Sequence, residues 1–323
     1  MTFIVRSEID PNIWIEVLKY STTKDKDSIL SIHAHYPRII HAELKTHRAL
    51  SGNSTSSRAV PVLNFIETIS DNPFIPSFWG QNQKGMVAGD DLSPEDRKEC
   101  IKIWKAACKS AIRYAKKLQA KNVHKQIPNR LTEPFQFMNT VLTGTEFDNF
   151  LWLRDHPDAE PHFHELASLI RIAIEDGTPQ LLSPGEWHLP FIDTQRDDAG
   201  VLHYGLIDAM IENPRGTFTP SFKELDLETA KRISASCCAQ ISYRKCDRSI
   251  EKADDLFARL IESEPMHSSP TEHQATPIDY DLYSDVNMGN ENVGITHMDR
   301  LYNLCSGNLR HWIQYRQLLQ SYK

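Results

Sequence analysis

The chain has 323 residues, of which 40% are apolar, and carries a net charge of −7. That length can bury one large or two ordinary cores, and the acidic balance without a long Lys/Arg block argues against duplex nucleic acid as a partner. No apolar run approaches the roughly 20 residues that span a bilayer, and Met1 to Arg6 is not followed by an apolar leader core, so no membrane partner and a cytoplasmic location are the expectation. The cysteines Cys100, Cys108, Cys237, Cys238, Cys246 and Cys305 show no Cys-x-x-Cys pairing, which fits reduced thiols better than a disulfide framework or a zinc ribbon.

Ile13–Tyr20 and Ser28–Tyr36 are short, β-rich stretches separated by a polar run, and predict a strand pair. Arg38 to Leu50 reads as a helix that feeds a loop rich in hydroxyls. Ser93-Pro94-Glu95-Asp96 is a helix start, with a capping Ser and Pro at the first helical position, and helical apolar spacing from Ile101 to Leu118 carries it to about Gln119. A second helical block covers Glu146 to Ile174, broken near His156-Pro157-Asp158. Asp176 to Pro220 is rich in Pro, Gly and Asp and reads as loops over the body, part of it a lid. Lys231–Tyr243, Lys252–Ile261 and Asn308–Leu319 read as further helices.

The most informative stretch is His47-Arg48 followed by Ser51-Gly52-Asn53-Ser54-Thr55-Ser56-Ser57-Arg58. Small residues let backbone N–H groups and hydroxyls converge on phosphate oxygens, and Arg48 and Arg58 can add charge-assisted hydrogen bonds. The same residues also suit an ordinary surface turn.

This segment resembles the signature of flavin-dependent thymidylate synthases, which reads Arg-His-Arg, seven residues, Ser, then Arg two positions on. Ala239-Gln240-Ile241-Ser242-Tyr243 resembles that family's Ala-Arg-Val-Ser-Tyr element, and His267-Ser268-Ser269-Pro270-Thr271-Glu272-His273 its His-x-Ser/Thr-Pro-Phe-Glu-His element. Asn149 to Arg154 and Asp158 to Pro161 resemble its Asn-Phe-Leu-x-Leu-Arg and Ala-Gln-x-Glu elements. Two of these pieces follow the signature here, whereas in the family they precede it, so the resemblance implies a circularly permuted relative.

The fold so implied is α+β, with helices packed around an antiparallel sheet in a single elaborated domain over 1–323. Residues 1–175 would hold the signature loop and helical part, 176–229 a loop-rich insertion, and 230–323 the permuted segment. The activity implied is methylation of dUMP at C5, with 5,10-methylenetetrahydrofolate as carbon donor and FAD reduced by NADPH as hydride carrier, in a homotetramer. Carried over by resemblance, a deoxypyrimidine monophosphate would meet Glu43, Ser54, Ser56, Ser57, Arg58, Arg130 and Arg154. FAD would meet His47, Arg48, Asn149, Ser242, His267 and Ser269, while Glu272 and His273 would brace the His267 turn. The scheme requires no enzyme nucleophile.

Several positions depart from the pattern. Thr46 stands where the family has Arg, so Lys45 or Arg38 would replace that cation. Glu43 stands where Gln is common; a carboxylate can accept from a cytosine amino group but repels uracil O4. Glu160 and Gln240 differ too. These departures keep open dCMP as substrate, a hydroxymethyl product, and a catalytically silent nucleotide-binding paralogue; a metal-dependent nucleotide hydrolase is a weaker reading. Taken alone, Arg154 also suits a local ion pair with Asp155 or Asp158, and Arg130 a polar turn.

Overall fold

The computed structural model describes residues 3–212, 218–242, 246–282 and 294–319. Its framework is a sheet in the order β1 (Ile4–Arg6), β2 (Trp14–Thr22), β3 (Ser28–Pro37), β5 (Phe137–Gly144), β4 (Ser51–Ser54), with β6 (Gln180–Leu181) parallel to the end of β2. All other pairings in it are antiparallel. The expected strand pair is β2–β3, with Trp14 opposite His35 and Thr22 opposite Ser28.

Strand alternation explains its two faces. Ile13, Ile15, Val17, Ile32, Ala34, Tyr36, Met138 and Leu142 are buried in one core with Phe150, Phe163, Leu166 and Ile170 from α4 (Asp148–Arg154) and α5 (Pro161–Asp176). These two helices occupy the expected block, and the break falls where expected: Glu160 caps α5 by accepting from Phe163 N–H, and Pro161 opens its first turn. The opposite face carries Trp14, His33, His35 and Phe137, with His35 stacked between Trp14 and Phe137 at centroid distances of 5.2 and 5.1 Å.

Between β3 and β4 the chain makes a 3-10 turn (Arg38–Ile40) and a single α turn, α1 (His41–Leu44). The helix expected to reach Leu50 therefore ends early. Lys45 is its C-cap and Thr46 Oγ1 donates to the Glu43 carbonyl at 2.7 Å, which turns the chain toward β4. After α2 (Val62–Asp71), the long α3 (Pro94–Ala120) starts as expected, with Ser93 accepting from Asp96 N–H. The 3-10 helix Pro128–Phe135 leads into β5.

The segment expected as loops carries strands instead. β7 (Asp193–Arg196), β8 (Leu202–Glu212) and β9 (Phe218–Leu225) form an antiparallel sheet whose Leu202, Tyr204 and Leu206 point inward. They join a second core with α6 (Leu227–Ala239), α7 (Ile250–Leu260), Trp187 and Trp312. The helix expected over Asn308–Leu319 is also corrected. Two-residue strands β11 (His297–Met298) and β13 (Leu309–Arg310) flank β12 (Leu304–Ser306), β10 (Ala275–Pro277) pairs with β14 (Trp312–Gln314), and only α8 (Tyr315–Leu318) is helical. Gly307 and His311 sit at φ of 61° and 66°, a left-handed conformation that interrupts any helix there. The architecture is thus mixed, helices packed with antiparallel sheets, as expected in class.

Candidate functional site

The hydroxyl-rich stretch is partly strand and partly turn. Ser51, Gly52, Asn53 and Ser54 form β4 opposite Thr143, Leu142, Val141 and Thr140 of β5. Thr55 N–H and hydroxyl both donate to the Asn139 carbonyl, at 2.9 and 3.2 Å, holding the chain as it leaves the sheet. The Ser56 carbonyl then accepts from Ala59 and Val60 N–H, and the Ser56 hydroxyl from Arg58 N–H at 3.2 Å, so the segment closes into a tight turn with Arg58 exposed.

Two distant pieces of the chain lie against this strand. The 3-10 turn Ser269–Glu272 packs on β4, and the 3-10 turn Gln240–Ser242 packs on β4 and β5. Asn53 donates to the Cys238 carbonyl at 3.4 Å, just ahead of the second turn. Three of the sequence pieces that carried the resemblance are therefore neighbours in space. His267 and Ser269 are exposed beside β4's neighbouring turn; the side chain of Ser242 lies outside the described residues.

Arg154 closes another side. Its Nη1 donates to Glu43 at 3.0 Å, its Nε to His47 Nε2 at 2.9 Å, and its guanidinium lies 4.6 Å from the centroid of Phe163. The ion pair is with Glu43 and not with either adjacent aspartate. Partial burial, and then the nearby Arg154 charge, push His47 below the ordinary histidine range. His47 is held edge-on by Phe150 at 5.0 Å. Arg48 and Asn149 are exposed.

Other expected residues are engaged elsewhere. Ser57 is buried, accepts from Arg38 Nη2 at 3.0 Å and donates to Glu133 at 2.8 Å, while Arg38 itself bridges Glu133 at 2.7 Å. The Ser57 hydroxyl thus ties the turn to the 3-10 helix before β5. Arg130 lies on that helix with an exposed side chain.

Sequence reasoning missed two polar chains that run through the sheet. In the first, Tyr36 Oη meets His41 Nδ1 at 2.8 Å and Thr140 Oγ1 at 2.7 Å, and Thr140 donates to Ser54 at 2.9 Å. Burial raises the Tyr36 phenol above its ordinary range and, with help from Arg38 and Lys45, lowers His41 to about 4. In the second, Ser21, His188, Ser31, Thr143 and His273 are linked in that order at 2.9, 2.8, 2.6 and 2.9 Å. His273 is fully buried and lowered to about 3, first by burial and then by the Lys45 charge, so it is neutral. Its Nε2 meets no partner among the described residues. Ser21, Ser31 and Thr143 come one from each of β2, β3 and β5, and the two histidines from remote segments, so no local pattern in the sequence marks this chain.

Glu272, at the end of the Ser269–Glu272 turn, pairs with Arg316, and His273 meets Thr143. Among the described residues no group of three or more His, Cys, Asp or Glu side chains could hold a metal ion, and no helix is long and apolar enough to cross a membrane. A cleft of about 420 Å³ opens next to the turn, lined among others by His35, Thr55, Pro61, Phe137, Asn139 and Ile241. Its aromatic and amide lining suits a flat polar ring, and the exposed Arg58 belongs to the turn beside it.

No protein-family model matches the chain, and no curated protein matches it. Among solved structures, the chain is similar to a UMP/dUMP methylase, PolB from Streptomyces cacaoi, bound with 5-Br UMP: TM-score 0.44, 13% identity, over 53% of this chain and 92% of that one. The same methylase bound with 5-Br dUMP is similar at a TM-score of 0.39 and 16% identity, over 46% of this chain and 66% of that one.

Proposed function

We propose that the protein transfers a one-carbon unit to C5 of a deoxypyrimidine monophosphate, converting dUMP to dTMP with 5,10-methylenetetrahydrofolate, FAD and NADPH. The observation that carries this reading is the meeting of β4, the Ser269–Glu272 turn and the Gln240–Ser242 turn at one place. Ser54, Ser56 and Arg58 would take the nucleotide through their side chains. Arg154 would approach its ring from the Glu43 side. Ser57 and Arg130 would act from behind, Ser57 by bracing the turn.

The residues suggested for the flavin fit it in donor chemistry: Arg48, His267 and Ser269 are exposed donors of the kind a pyrophosphate-bearing dinucleotide takes, Asn149 is exposed on α4, and His47 is fixed by Arg154. Bound flavin would supply hydride transfer, and the chain would orient the pyrimidine and exclude water. Exposed Trp152 and Leu153, next to Arg154, suit burial against another copy, in keeping with a homotetramer.

The ion pair of Glu43 with Arg154 favours dUMP over dCMP. A carboxylate already matched by a guanidinium repels uracil O4 far less than a bare one. The test is to record the flavin spectrum of the purified protein and incubate it with NADPH, methylenetetrahydrofolate and either nucleotide, weighing the product. Methylated dUMP is expected. A hydroxymethyl product or turnover of dCMP alone would overturn the choice of reaction, and a colourless protein that cannot be reconstituted with FAD would favour a silent nucleotide-binding paralogue.

A further inference from the structure

The cleft beside the turn is lined by residues of β3 and β5 and by residues of α2, and among the described residues no Asp, Glu, Lys or Arg lines it. An uncharged group enters it without meeting a charge. Two of its lining residues, His35 and Asn139, stand opposite each other across the β3–β5 pair. Each has its hydrogen-bonding direction fixed from behind. His35 Nδ1 meets the Asn12 carbonyl at 2.5 Å, and since a carbonyl only accepts, this nitrogen carries the ring proton. Burial lowers His35 below the ordinary histidine range, so the ring is neutral and its Nε2 is an acceptor. Asn139 Oδ1 accepts from His33 Nε2 at 2.9 Å, which turns the amide so that its NH2 group is the free end.

Neither His35 Nε2 nor Asn139 Nδ2 has a partner among the described residues, and neither is sealed from solvent. Other polar groups of the lining donate inward: Thr55 to the Asn139 carbonyl, Thr68 to the Asn64 carbonyl, Asn72 to Asn12 and Gln136 to Thr132. The His35 ring is stacked between Trp14 and Phe137, so it has an edge to offer and not a face. We infer that the cleft is a binding site for a flat, uncharged heterocycle with a lactam edge, whose N–H donates to His35 Nε2 and whose neighbouring carbonyl accepts from Asn139 Nδ2. A ring with the opposite edge, such as cytosine with its unprotonated N3 and its amino group, sets acceptor against acceptor and donor against donor. The assignment takes its test rings from the nucleotide reading above. Uracil, pterin and flavin all present the lactam edge.

The experiment uses the full chain and follows the binding of deoxyuridine, 3-methyldeoxyuridine, deoxycytidine, a tetrahydropterin and lumiflavin by calorimetry, with thermal melts as a check on folding. Nitrogen chemical shifts of the His35 ring and the Asn139 amide report whether the ring sits in this cleft. Deoxyuridine should bind about tenfold or more tighter than its N3-methyl derivative and than deoxycytidine, and should move both signals. Competition among deoxyuridine, the pterin and lumiflavin then names the occupant. His35→Phe, which keeps a flat ring in the stack and removes the acceptor, and Asn139→Ala should each cut the preference to about threefold or less. Asn139→Asp keeps an acceptor for His33 and replaces the donor, so it should move the preference toward deoxycytidine, and it serves if Asn139→Ala melts too early to use. A preference that persists unchanged in His35→Phe and both Asn139 variants overturns the lactam site and leaves the nucleotide reading standing. A wild type that binds none of these rings, and neither dUMP nor dCMP, overturns both.

Discussion

The Arg154 guanidinium lies 3.0 Å from the Glu43 carboxylate, across the gap between α4 and α1, and the same guanidinium holds His47 at 2.9 Å. One cation therefore fixes two residues of the segment that leads from β3 to β4. Both partners are part-exposed, and such pairs are individually worth only about 1 kcal/mol or less. The arrangement bears more on geometry and charge than on stability.

Arg154→Met should thus leave the melting temperature nearly unchanged while lowering kcat/KM for dUMP at least tenfold, equivalent to about 1.4 kcal/mol of transition-state binding. Glu43→Gln in the same assay should retain dUMP turnover. A large gain in dCMP turnover in Glu43→Gln would contradict the pairing argument.

Arg38 and Glu133 form a mostly buried pair with Ser57 between them. Glu133→Ala leaves the guanidinium buried without its partner and should destabilise the fold by about 3 kcal/mol in urea titrations. Ser57→Ala should cost about 1 kcal/mol and weaken nucleotide binding only mildly. A selective collapse of dUMP affinity in Ser57→Ala would show that the hydroxyl leaves Arg38 and Glu133 to meet the ligand.

Thr143 joins Ser31 to His273 inside the sheet. Each neutral imidazole in this chain carries one ring proton, so the donors run in one direction and the tautomers of His188 and His273 are linked through two hydroxyls. Thr143→Val should cost about 2 kcal/mol, since it strips the Nδ1 partner from a buried ring. Nitrogen chemical shifts should find both histidines protonated at the same ring position in the wild type; opposite tautomers would refute the linkage.

His41 and His273 are neutral when folded, at about 4 and about 3, and His188 lies well below its ordinary range through burial. In the unfolded chain each titrates near 6.5. The unfolded state then binds more protons over the intervening range, so stability rises with pH there and is lost as pH falls from about 6.5 toward 4. Urea midpoints measured between pH 7 and 5 should fall accordingly. His41→Asn should flatten the slope, and an unchanged slope would show that the ring charges freely in the folded chain.

Local signals made much of this architecture legible. The β2–β3 pair follows from alternating apolar residues, and α3 and α5 from a capping Ser or Glu ahead of Pro. Leu202, Tyr204 and Leu206 alternate just as clearly, but stand among Pro, Gly and Asp that speak for loops. The segment after Asn308 has apolar residues at helical spacing, and what prevents a helix is the left-handed backbone at His311, a conformation that sequence marks only at glycine or asparagine. At the site, resemblance named Glu43, His47 and Arg154 singly. Their joining by one guanidinium, and the diversion of Ser57 to Arg38 and Glu133, depend on which remote segments pack together, and no local rule reports that.

The packing of the Ser269–Glu272 turn on β4 also sets an order of events during folding. The strand and its turn can pair with β5 once the first half of the chain is available, but the wall beside them belongs to residues about two hundred positions later, and contacts that close so long a loop form slowly. A growing chain emerging from the ribosome would carry the turn after β4 well before its wall exists. On the proposed function, nucleotide present during refolding should therefore act on the last step, not the first, because the turn and its wall meet only there.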